Sequence, residues 1–189
     1  MALGLCQSKP MTEITVRRLT EEDWVEYRDV RLRALKESPE AFVASADEEG
    51  EFPEDRWRDR MRRSRRLLAQ RADDAVGVAS VGTEGTAEDT VGELFGLWVH
   101  PEQRGSGVAR RLLEAAARTA REDNLRHLVY WVGTDNGRAV AFASSFGFRP
   151  TDNRRAMQIR GVDVDEEDAT EMAMVLPLGS SAGDIPTSL

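Results

Sequence analysis

Apolar positions along this chain change their period several times, and each change marks an element. Ile14, Val16 and Leu19 alternate as in a strand. Thr20-Glu-Glu-Asp23 then offers an N-cap for a helix carrying Trp24, Tyr27, Val30, Leu32 and Leu35, which Ser38-Pro39 ends. A second helix is predicted from Pro53 or Glu54 through Trp57, Met61 and Arg65. Leu67–Arg71 and Ala75–Val81 read as two strands joined at Asp73-Asp74, a hairpin. Val91–Val99 is a further strand interrupted by Gly96, and a glycine there marks a bulge or a close approach to the backbone. From Val108 to Asp123 a helix sets Ala109, Leu112, Leu113, Ala116 and Ala120 on one side and Arg111, Glu114, Arg118, Arg121 and Glu122 around the other. His127–Val132 is a strand, Asn136–Ser145 a short helix, and Phe148 and Thr170–Leu176 fall in later strands. No internal repeat is visible.

The resulting order, β-α-α-β-β-β-α-β-α-β-β, predicts an α/β (α+β) domain with a central mixed sheet flanked by helices. The helix from Val108 joins two strands that should be parallel neighbours in a crossover. A chain of 189 residues suits one hydrophobic core. The expected domain spans 12–177, between a disordered leader at 1–11, with Met11 a candidate start, and a disordered tail at 178–189.

Composition narrows the function classes. A net charge of −8 should repel nucleic acid and anionic membranes, and it favours a cationic substrate. Cys6 is the single cysteine, which excludes an intrachain disulfide, offers no thiol cluster for a metal and points to a reducing, cytoplasmic setting. No apolar run approaches the ~20 residues of a membrane span. The basic run Arg56–Arg66 has two readings, a solvated helix face or an anion site, and Asp59 within it favours the first.

The segment Val99–Ala109, VHPEQRGSGVA, places two glycines between a strand and a helix. The first amides of a helix have no intrahelical acceptor, and the helix dipole adds positive potential there, so anionic phosphate is the natural ligand. Glycines at 105 and 107 permit positive φ and open approach to the amides, with Arg104 as a charged donor. The other reading is a tight turn that only starts a helix. A Walker loop is excluded because no lysine follows the glycines, and a dinucleotide fingerprint because Arg110 stands where its third small residue belongs.

Arg104-Gly-Ser-Gly107-Val-Ala109 resembles the Arg/Gln-x-x-Gly-x-Gly/Ala signature of the GNAT superfamily of N-acetyltransferases. Asn136–Phe148, NGRAVAFASSFGF, resembles that family's Asn-x-x-Ala…Gly-Phe segment. The two motifs lie within residues 91–150, and the strand order extends the resemblance over roughly 14–177. The resemblance implies acetyl-CoA as cosubstrate, no metal, and an amine acceptor, in a monomer or homodimer. It puts the pyrophosphate on the amides of Gly105, Ser106, Gly107, Val108, Ala109 and Arg110. The pantetheine would run along Leu97, Trp98 and Val99, where the strands ending near Val99 and Val132 splay apart. Asn136 corresponds to the pantetheine-contacting asparagine, or caps its helix, or both; Phe142 touches the donor arm or belongs to the core.

The acceptor must attack as a neutral amine, although a lysine-like amine has a pKa of ~10.4. Glu93, six residues before Val99, is the candidate base for its proton; the alternative is a structural ion pair. Ala143 stands where many family members carry a tyrosine that protonates the departing thiolate, and Trp131 where ribosomal-protein N-terminal acetyltransferases carry a glutamate. The acid is thus unassigned. The acceptor pocket is expected between residues 38–66 and the loop 152–168, whose acidity again suggests a cationic amine. The alternative to an enzyme is an acyl-CoA binding or sensing module with weak catalysis.

Overall fold

In the computed structural model, which describes residues 13–82, 91–157 and 170–179, β1 (Ile14–Arg18) leads into α1 (Trp24–Glu37). The turn between them is set by Asp23, whose carboxylate accepts from the backbone N–H and the hydroxyl of Thr20. A short α2 (Ala46–Gly50) and α3 (Glu54–Arg63) precede β2 (Ser64–Arg71), β3 (Asp74–Gly82) and β4 (Val91–Val99). Then come α4 (Val108–Glu122), β5 (His127–Gly133), α5 (Gly137–Phe146), β6 (Arg149–Ala156) and β7 (Thr170–Pro177). The strands form one mixed sheet, ordered β1-β2-β3-β4-β5-β7-β6, flanked by helices as expected.

The amphipathic α4 buries Leu112, Leu113, Ala116 and Ala120 across one face of the sheet, within the larger apolar core. On the opposite face α1 and α3 bury Tyr27, Val30, Trp57 and Met61 against Leu68, Val78 and Trp98. Among the described residues, no helix is long and apolar enough to cross a membrane.

Three sequence expectations shift. The second helix stops at Arg63, because Ser64, Arg65 and Arg66 pair with Gly82, Val81 and Ser80 and so extend β2. The hairpin turn falls on Ala72-Asp73, with Ala72 at φ 54°, since Arg71 and Asp74 already face each other across the ladder. Phe148 packs in the core one residue before β6 rather than within a strand. The five-residue α2, begun by Ser45 accepting from the Glu48 amide at 3.2 Å, is too short to show a period. The expected leader, the acidic stretch 163–168 and the residues beyond 179 lie outside the described residues.

β4 and β5 are parallel, as the crossover required. Gly77 on β3 lets β4 and α4 approach: a Cβ there would meet the Trp98 carbonyl oxygen at 2.9 Å, Val108 Cγ1 at 2.9 Å and Leu112 Cδ1 at 3.1 Å. The oxygen belongs to a paired strand and cannot swing away. Gly77→Ala is therefore expected to destabilise the protein by about 1–3 kcal/mol, read as a lower urea midpoint at unchanged m-value.

Candidate active site

The site begins with a mismatch of one residue. Val78 pairs with Trp98 but Ser80 pairs with Phe95, so β4 holds an extra residue at Gly96 and Leu97, and Gly96 takes φ +60°. The bulge reverses side-chain parity. Before it, Leu94 faces the α4 core; after it, Leu97 and Val99 pack on that side, while Trp98 turns to the α1 and α3 core. Pairing of β4 with β5 ends at Leu94 and Tyr130, so Phe95 to Val99 keep their β5-facing edge open. The splay near Val99 and Val132 is thus present.

At the end of that edge, Gly105 and Gly107 adopt φ +79° and +92°, and Gly107 is the N-cap of α4. No atom lies within 4 Å of where a Cβ would stand on either glycine. The helix's first internal bond runs from the Arg111 amide to the Gly107 carbonyl, 3.1 Å, so the amides of Val108, Ala109 and Arg110 have no acceptor inside the helix. A cavity of about 610 Å³ joins the loop to the open edge, with Leu97, Val99, Arg104, Gly105, Gly107, Ala109, Arg110, Asn136 and Phe142 in its wall. The capping reading of Asn136 holds, its Oδ1 accepting from the Ala139 amide at 3.0 Å to cap α5, and the residue also lines this cavity. Phe142 likewise lines the cavity and packs on the core.

Four of the expected residues behave otherwise. The Trp98 side chain is buried on the far face, donating from Nε1 to Ser38 Oγ at 3.1 Å, so only its backbone is available to the open edge. Val108 is core, again leaving only its amide. Ser106 faces an adjoining hollow, where its hydroxyl donates to the Gln103 carbonyl and accepts from Arg71. Arg104 lines the cavity, but its Nε donates to the Val99 carbonyl at 3.2 Å and its Nη2 to Ser38 Oγ at 2.9 Å. It therefore clamps the loop to the strand end. Gln103, Arg138 and Ala139 complete the wall; Gln103 and Arg138 were not picked out from the sequence, although Arg138 sits inside the Asn-x-x-Ala segment.

Across the sheet, the bulge borders a second cavity of about 260 Å³, lined by Tyr27, Arg31, Arg60, Arg66, Val78, Ser80, Phe95 and Gly96. Two of its arginines, Arg31 and Arg60, are built around Glu49, a side chain only 2% exposed. Arg31 donates to both carboxylate oxygens at 3.0 and 3.1 Å, and Arg60 to both at 2.9 and 3.3 Å. Burial alone would raise the Glu49 carboxyl, but these hydrogen bonds outweigh it and hold the group below its ordinary range. Glu93, on the same face of β4 as Phe95, is ion-paired to Arg155 at 3.3 Å, and Arg155 also donates to Glu171 at 2.6 Å and lies over the Trp131 ring. Ala143 is fully buried.

A bulged, splaying β4 that runs into a glycine-rich helix start defines the acyl-CoA N-acyltransferase class of fold. The sequence pattern of the acetyltransferase (GNAT) family matches residues 16–148, and the chain belongs to that family. Mycothiol acetyltransferase of Acidothermus cellulolyticus is 34% identical over 74 residues, 39% of this chain and 23% of that protein. The matched part thus spans about a quarter of that relative. A GNAT-family acetyltransferase from Streptococcus pneumoniae superposes with a TM-score of 0.70 at 19% identity, covering 88% of this chain and all of the other. A Salmonella typhimurium protein assigned as an acetyltransferase, solved with its cofactor acetyl-CoA, gives 0.64 at 19% identity, covering 90% and 96% of the two chains.

The Glu49 cluster has a pH signature. A carboxyl depressed in the fold adds stability that is present above its ordinary value of 4.5 and is lost as pH falls through its lower folded value. Glu49→Gln leaves two guanidinium groups facing a neutral amide, and should cost about 3–5 kcal/mol at neutral pH. The melting-temperature gap between the variant and the parent protein should then narrow on acidification below pH 4.5, as the parent alone loses this contribution.

Proposed function

We propose that this protein transfers the acetyl group of acetyl-CoA to a primary amine within a ternary complex. The observation that carries the reading is the open β4 edge running directly into the unpartnered amides of α4. Acetyl-CoA supplies the activated acetyl thioester. The amides of Gly105 and of Gly107 to Arg110 receive its pyrophosphate, where the two glycines carry no side chain to block it, while the Ser106 amide is held by the Gln103 carbonyl at 3.3 Å. The free edge at Leu97, Trp98 and Val99 accepts the pantetheine amides as an added strand would, with Asn136 and Phe142 on the opposite wall.

The amine enters from the arginine-lined cavity at Gly96, on the other face of the same strand. As its nitrogen bonds to the acetyl carbon and the carbon–sulfur bond breaks, its proton passes to Glu93. Glu93 lies two residues from Phe95 on one strand face, about 6–7 Å along the chain, so the proton reaches it through ordered water. A thiol with a pKa of ~8.5 leaves without a dedicated acid, which suits the alanine at position 143.

Acetyl-CoA should raise the melting temperature, and Gly107→Asp should abolish that rise while the protein stays folded, since the carboxylate stands where phosphate approaches. Undiminished acetyl-CoA stabilisation of a folded Gly107→Asp protein would reduce the loop to a turn.

Glu93→Gln keeps an oxygen for Arg155 but removes the base. Turnover should fall by about 10- to 100-fold at neutral pH with acetyl-CoA affinity unchanged, and the deficit should shrink at high pH, where the amine is already neutral. Parental turnover across the pH range would remove Glu93 from the mechanism.

A further inference from the structure

The second cavity has the wrong charge for a cationic substrate. Arg66 is 6% exposed, and among the described residues no carboxylate lies within ion-pair distance of it. Its Nη1 donates to Ser80 Oγ at 2.6 Å and its Nη2 to the Arg60 carbonyl at 3.1 Å, while its buried Nε has no hydrogen-bond partner. Tyr27 and Phe95 lie against the guanidinium, with centroids at 4.8 and 5.2 Å. Burial, with Arg60 and Arg31 close by, pulls Arg66 below the ordinary arginine range.

Glu49 neutralises only one of its neighbours. Three guanidiniums and one carboxylate leave a net charge of +2 beside the cavity. A buried cation without an anion is costly, and each terminal nitrogen of Arg66, donating once to Ser80 or to the Arg60 carbonyl, keeps a second N–H for an acceptor in the cavity. Aromatic and aliphatic walls at Tyr27, Phe95 and Val78 keep the local dielectric low, which strengthens attraction for an anion.

We infer that this cavity selects acceptors that carry an oxyanion group, a carboxylate or a phosphate monoester, in addition to the primary amine, with Arg66 as the principal contact. The inference rests on the acetyl-transfer reading and names its substrate class. At 260 Å³ the cavity suits the end of a small molecule. Gly96 forms part of its wall at the bulge, so an acceptor anchored on Arg66 has its amine on the side of the strand edge. The positive wall also disfavours a protonated amine, which is the form that cannot attack. The acidity of residues 38–66 misleads here, because the inward Glu49 is consumed by Arg31 and Arg60.

The test uses the full chain saturated with acetyl-CoA and matched acceptors: β-alanine against propylamine, and O-phosphoethanolamine against ethylamine, with thiol release as the readout. Propionate binding to the acetyl-CoA-loaded protein, followed by calorimetry, reports the anion site without turnover. The anionic member of at least one pair should have a kcat/KM at least ~10-fold higher, carried by KM, as for a charge-assisted contact. Which pair discriminates tells carboxylate from phosphate. Arg66→Gln should raise KM for the anionic member, collapse the ratio and abolish propionate binding. Equal or inverted ratios within both pairs would overturn the oxyanion inference and leave acetyl transfer standing. Thiol release with no amine, alongside propionate binding that Arg66→Gln removes, would overturn acetyl transfer and keep the anion site. If Arg66→Gln does not fold, the ratios of the parent protein decide alone.

Discussion

One residue too many in β4 organises the molecule. A strand that pairs fully with β3 on one edge and β5 on the other has no free backbone to offer and no change of face along its length. The extra residue at Gly96 inverts the alternation, so that Phe95 and Trp98 look toward α1 and α3 while Leu97 and Val99 look toward α4 and α5. It comes two residues after the last pair with β5, and from there the β4 edge is open. A left-handed backbone at Gly96 is what a side chain would resist. Two cavities on opposite faces of one strand follow from that single irregularity.

The surroundings hold this geometry by polar as well as apolar contact. Ser38, at the end of α1, accepts from both Trp98 Nε1 and Arg104 Nη2, joining the strand to the glycine loop through one buried hydroxyl. Arg104 thereby acts on the shape of the loop. On the other face Glu49 collects four hydrogen bonds from two arginines and lets a charged layer sit beneath α1 and α3. The remaining positive charge gathers at Arg66, next to the bulge.

Family membership bears on the glycine-loop side of β4 more than on the cavity beneath α1 and α3. The glycine loop, the Asn136 cap and the splayed strands rest on short-range features that local sequence can encode. Ala143 and Trp131 depart from common patterns, and the wall of the second cavity is drawn from α1, α3, β2, β3 and β4. Such a wall can change sign and size by single substitutions without disturbing the sheet.

The sequence by itself determined the element order, the amphipathic α4, the parallel pairing of β4 with β5 and the glycine loop, because each is a short-range pattern of period, cap or positive-φ residue. It also marked Gly96 as a point of irregularity, and Asn136 as a helix cap. Only the tertiary structure decided the end of α3, where pairing of Ser64 and Arg65 with β3 overrides a helical pattern, and the inward face of Trp98, where the bulge reverses parity. It alone decided the charge of the second cavity as well. Net charge sums over the whole surface, whereas Arg31, Glu49, Arg60 and Arg66 meet from separate parts of the chain, and a buried charge acts through its few neighbours in a medium that screens it far less than water.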